Sequence, residues 1–109
     1  MIRVNVIESS NRISSFEMSG HADFAEHGQD LVCAGASAVS FGAVNAIMEL
    51  TKIEPEIEQA DSGFLKVTFP KGLDEKTDEQ VQLLVRAMIV SLKTIEQDYG
   101  KYIKITFTA

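Results

Sequence analysis

Gly20-His21-Ala22-Asp23-Phe24-Ala25-Glu26-His27-Gly28-Gln29-Asp30-Leu31-Val32-Cys33 is the stretch on which the reading of this chain turns. It holds both histidines and the only cysteine of the 109 residues, with one glycine at its start and another in its middle. Upstream the sequence alternates as a strand does; downstream it runs uncharged for long enough to make a long helix. The segment therefore marks a change of secondary structure and gathers a thiol, imidazoles and carboxylates at the same point.

Upstream, Ile2, Val4 and Val6 alternate with Arg3 and Asn5, the period of a half-buried strand. Ser9-Ser10-Asn11-Arg12 is a turn cluster, and Ile13 to Ser19 forms a second strand, with Phe16 and Met18 on one face and Ser15 and Glu17 on the other. Downstream, Asp30 is placed to cap a helix from about Leu31 to about Lys52. Val39, Phe41, Val44, Ile47, Met48 and Thr51 spread over more than one face of it, so a sheet on one side cannot cover it alone. A second helix or another subunit must cover the rest.

Glu56 to Ala60 and Phe64 to Phe69 read as short strands joined through Asp61-Ser62-Gly63. Thr77 to Gln80 matches a capping box for a second helix, in which Val81, Leu84, Val85, Met88, Leu92 and Ile95 recur to about Asp98, with Gly100 just beyond. Ile103, Ile105 and Phe107 give a last strand. The order ββαββαβ predicts one α+β domain over residues 1–109. Its architecture is a two-layer sandwich, a mostly antiparallel five-stranded sheet with two helices on one face.

A single cysteine forms no intrachain disulfide, which fits a reducing, cytoplasmic setting. The start of the chain lacks the continuous apolar core of a secretory signal. Leu31 to Met48 contains no charge and has the length of a membrane span. Its glycines, serines, alanines and Asn45 dilute it, however, and it reads as a helix buried in protein, with no membrane partner. The net charge of −6 argues against direct nucleic-acid binding and for a basic protein or peptide as partner.

Cys33 falls in the first turn of the first helix, where unpaired amides and the helix dipole favour a thiolate and can donate to an oxyanion. Set against this is the ordinary cysteine, a small apolar residue in a core. His21 stands twelve residues upstream, so the loop must fold back for its ring to act on the sulfur as a base; the plainer alternative is a surface histidine. His27 reads as solvated. Asp30 serves as a cap and can also orient the imidazole, a role for which Asp23 competes. Ser37, one turn after Cys33, shares its face and either bonds the thiol or permits close packing. A zinc site from His21, His27, Cys33 and an aspartate matches no standard ligand spacing, and no dinucleotide or phosphate-loop fingerprint is present. No metal or cofactor is expected. From the residues alone the chain is a candidate Cys–His thiol hydrolase.

These residues resemble the ribosomal-processing cysteine protease family, Prp. The family pattern of Gly-His-Ala, a loop, and Gly-x-Asp-x-Val-Cys-Ala-Ala-x-Ser is met by Gly20-His21-Ala22 and by Gly28-Gln29-Asp30-Leu31-Val32-Cys33-Ala34-Gly35-Ala36-Ser37. Length and element order also match, so the resemblance covers essentially the whole chain. Gly35 replaces a usual alanine, a local helix cost of ~1 kcal/mol.

The resemblance implies a cytoplasmic endopeptidase, dimeric in its family, that removes a short N-terminal extension from a large-subunit ribosomal protein after an aromatic residue. It assigns Cys33 as nucleophile and His21 as general base. Gly20, Gly28, Asp30, Ala34 and Ser37 become supporting or substrate-binding positions, and the loop from Gly20 to Gln29 closes over the peptide. The rival is a non-catalytic binding module of the translation apparatus, in which the same motif serves only loop and cap geometry.

Overall fold

The computed structural model describes residues 1–26, 30–61 and 63–109. His27, Gly28, Gln29 and Ser62, drawn above into the loop and the second hairpin turn, lie outside the described residues. The elements follow the expected order: β1 (Ile2–Ser9), β2 (Arg12–Ser19), α1 (Leu31–Thr51), β3 (Glu56–Ala60), β4 (Phe64–Thr68), α2 (Glu75–Tyr99) and β5 (Ile103–Thr108). The strands form one sheet in the order β3-β4-β2-β1-β5. Only β1 and β5 run parallel; the other neighbours are antiparallel.

Register explains the core. Val4 faces Ile105 on one side and Met18 on the other, and Met18 faces Leu65. The next row is Phe107, Val6, Phe16, Val67 and Ile57. Period-two alternation puts both rows on one side of the pleat, and α1 and α2 cover that side, because Val32, Ala36, Val44 and Ile47 of α1 join Val81, Val85, Met88, Ile89 and Leu92 of α2 in the same buried cluster.

Two local devices make the first hairpin. Ser10 and Asn11 both take positive φ, at 52° and 61°, the conformation a two-residue turn needs to match strand twist. Strict alternation from Phe16 would also turn Ile13 away from the core. An extra residue on β2 corrects this: Ile7 faces Ser15 and Glu8 faces Ile13, so Ser14 is left over as a bulge. Ile13 thereby ends fully buried.

Two local expectations are corrected. The second helix is capped by Asp74 rather than Thr77; the Thr77 amide donates to the Asp74 carboxylate at 3.2 Å, and the helix begins at Glu75. Both aspartate and threonine make good caps, and the earlier one takes the helix start. Gly100 does follow α2, but at φ −61° it is right-handed; its small size matters instead, since a Cβ there would approach the Glu96 carbonyl oxygen to 3.1 Å. On the single chain α1 is covered only in part, which leaves the expectation of a second subunit standing as an alternative to α2 alone. Of its most apolar 18 residues only 28% are buried, and Leu31, Ala34, Ala38, Phe41, Gly42, Asn45 and Leu50 stay exposed although α2 packs alongside.

Candidate active site

Asp30 does locally what its sequence position suggested. Its backbone is extended, and Oδ1 accepts from the amides of Val32 at 3.0 Å and Cys33 at 3.1 Å, capping α1. The other oxygen accepts from Phe24 at 2.9 Å and Ala25 at 3.4 Å. One buried carboxylate thus fixes the helix start and the preceding loop together. Burial works to raise its pKa, but the hydrogen bonds from the Cys33, Phe24, Ala25 and Val32 amides outweigh it and hold the carboxyl below its ordinary value.

Of the first-turn amides of α1, those of Val32 and Cys33 thus donate to the Asp30 cap. The Asp23 side chain is exposed and pairs with the Met1 amino group at 3.6 Å.

The loop does fold back. Cys33 lies in the first turn of α1, half-buried, and its Sγ accepts a hydrogen bond from the Ala22 amide at 3.2 Å. Because Ala22 directly follows His21, this bond ties the thiol to the residue next to the imidazole. Phe24 anchors the same loop on its far side, edge-on to Tyr99 and Tyr102 with ring centroids 5.5 and 5.1 Å away.

His21 and Cys33 open onto one cavity of about 520 Å³, whose apolar floor is made by Ile2, Met18, Ala36 and Leu65. Gly20, Asp30, Ala34 and Ser37 also line it. The cavity thus brings together Gly20, His21, Asp30, Cys33, Ala34 and Ser37 of the candidate site residues, while Gly28 lies outside the described residues. Gly20 has a definite reason to be glycine: its φ is +86°, and a Cβ would run into the Met1 carbonyl. Among the described residues no three of His, Cys, Asp and Glu are grouped to hold a metal ion.

Sequence reasoning missed the Ala22 amide, because a backbone donor has no side-chain signature. It also missed the contribution of the β3–β4 hairpin, which supplies Gln59, Ala60, Asp61, Gly63 and Phe64 to the cavity. No local pattern announces that a hairpin some 40 residues away closes a loop.

A half-buried thiol in the first turn of α1 and a histidine from the preceding loop thus face one cavity on an α+β sandwich. The model of the family described as cysteine protease Prp matches residues 1–104, and the chain belongs to that family of peptide-bond hydrolases. It is 50% identical over 108 residues to the ribosomal processing cysteine protease Prp of Bacillus subtilis, covering 97% of this chain and 96% of that one. The Staphylococcus aureus protein of the same name is 42% identical over 108 residues, covering 98% and 99%. Two crystal structures of the S. aureus ribosomal processing protease superpose over 99% of this chain and 100% of theirs. One carries a covalently linked product peptide (TM-score 0.90, 38% identity), the other a substrate peptide (TM-score 0.84, 37% identity).

Proposed function

We propose that this cysteine protease removes the N-terminal extension of a large-subunit ribosomal protein, with Cys33 as nucleophile and His21 as general base. The observation that carries the reading is the Ala22 amide bonded to the Cys33 sulfur at 3.2 Å, which brings the His21 backbone to the thiol at the mouth of one cavity. Relatives described as ribosomal processing proteases supply the substrate class.

In the first step His21 takes the thiol proton and the sulfur attacks the scissile carbonyl carbon, forming a C–S bond. The charge developing on the carbonyl oxygen lies within a bond length or two of the sulfur, so the Ala22 N–H can shift from sulfur to oxyanion. Collapse breaks the C–N bond, and the proton held by His21 goes to the leaving amine. Water, deprotonated by His21, then attacks the thioester, breaks the C–S bond and restores the thiol. Asp30 holds the helix start and the loop throughout, and Ser37 borders the groove one turn below the nucleophile.

The setting follows from the same features. A chain of net charge −6 attracts a basic ribosomal-protein peptide, a lone cysteine suits the cytoplasm, and the exposed small-residue face of α1 suits a second copy of the chain.

The test is the intact mass of the extended ribosomal protein after incubation with wild type and with Cys33→Ser. Loss of the extension with wild type alone is expected. Cleavage by both proteins would remove Cys33 from the chemistry, and cleavage by neither would favour a binding module.

A further inference from the structure

Gly63 sits in the β3–β4 connection at φ +78°. A Cβ built on it would lie 2.7 Å from the Gly20 carbonyl oxygen, 3.1 Å from His21 Cε1 and 3.3 Å from His21 Nε2. The bare backbone of the edge hairpin is therefore packed directly against the imidazole. Gly20 meets the Met1 carbonyl on its own side in the same intolerant way. The Gly20–His21 segment is thus gripped between two backbone surfaces, with no room for a side chain at either glycine. Gly72 provides the contrast: its φ is +74°, yet nothing lies within 4 Å of a Cβ there. Positive φ alone makes Gly72 a glycine, whereas Gly63 is constrained by conformation and by the ring it touches.

We propose that Gly63 is a positioning residue for proteolysis: its uncovered backbone is the seat that holds the His21 ring within reach of Cys33. The proposal rests on the assignment of His21 as general base. Any Cβ at 63 must displace either the ring or the Gly20 carbonyl that leads into it. Proton transfer depends on donor and acceptor meeting at hydrogen-bond distance, and a displacement on the order of 1 Å in such a constellation costs on the order of 100-fold in rate. Gly63 lines the cavity, but the role assigned to it here is exerted through His21.

The test compares Gly63→Ala with Gly72→Ala, which imposes a like backbone strain without crowding the ring. Gly63→Asn serves as a second variant, because asparagine tolerates positive φ better while carrying the same Cβ. Cleavage of the extended ribosomal protein is measured as kcat and KM across pH, in the wild-type and His21→Ala backgrounds. For both Gly63 variants kcat should fall roughly 10-fold or more, with KM changed by less than about 3-fold. The acid limb of the profile should move to higher pH as assistance from the imidazole is lost. Gly72→Ala should keep wild-type kcat, and adding Gly63→Ala to His21→Ala should cost nothing further.

Wild-type kcat and pH profile in folded Gly63 variants would overturn the proposal. So would an equal loss in Gly72→Ala, or a loss that adds in full to that of His21→Ala. Full activity of His21→Ala itself is a different failure, since it removes the base assignment on which the proposal stands.

Discussion

Asp30 shows how much one side chain decides at this site. It was readable as a helix cap, and it is one, but the fold also gives it the Phe24 and Ala25 amides. Removing it with Asp30→Ala costs about 1–2 kcal/mol of stability from the cap alone, and leaves the amides that held the loop unpaired. Chemical denaturation at neutral pH measures this, and a variant as stable as wild type would contradict the geometry. The pH dependence follows from the lowered pKa. A carboxyl whose folded value lies below its unfolded value contributes stability above the ordinary carboxylate range and loses it as pH falls towards the folded value. Asp30→Asn should therefore close part of the stability gap between neutral and strongly acidic solution. An unchanged acid dependence in that variant would show the carboxylate to be uninvolved.

At the scale of elements, the join between α2 and β2 carries the most information. The β2–β4 ladder begins at Ser15, so the Ile13 backbone groups on that edge lack a strand partner. Gln82 of α2 supplies one: its Oε1 accepts from the Ile13 amide and its Nε2 donates to the Ile13 carbonyl, both at 2.8 Å. Arg12 adds a fork to the Asp78 carboxylate, with contacts of 2.9 to 3.2 Å. Gln82→Leu keeps the helix but strips both Ile13 groups of their partner, a loss of about 1–3 kcal/mol to be read from urea unfolding. A near-neutral result would mean that water replaces the amide without penalty. A glutamine in a helix carries no sequence mark of this duty, whereas the apolar stripe Val81, Val85, Met88 and Leu92 that packs the same helix was plain from its spacing.

At the scale of the whole molecule, α1 keeps one face exposed on the single chain. Ala34, Ala38, Gly42 and Asn45 recur at three- and four-residue intervals and stay exposed on one chain, and small residues at that spacing let a second helix approach closely. A symmetric pair of chains would bury this face and place it beside the cavity, to which Ala34 and Phe41 both belong. Light scattering should give twice the chain mass for wild type. Ala38→Arg, on the exposed face and outside the cavity lining, should give the monomer with its fold intact by circular dichroism. A monomeric wild type at micromolar concentration would end the dimer reading.

Element type and order were set by the sequence alone, because alternation, helical spacing and the Asp30 cap act over a few residues and compete with nothing distant. The candidate dyad was legible for the same reason: thiol, imidazole and capping carboxylate are recognisable by type within fourteen residues. Tertiary structure decided everything that depends on a partner far along the chain. The strand order β3-β4-β2-β1-β5, the Ser14 bulge that turns Ile13 inward, and Gln82 standing in for a strand belong there. So do the Ala22 amide on the Cys33 sulfur, bonded only once the loop folds back, and Gly63 against His21, 42 positions away in sequence. These contacts arise when the sheet brings separate segments within a few ångströms, a distance that no local pattern records.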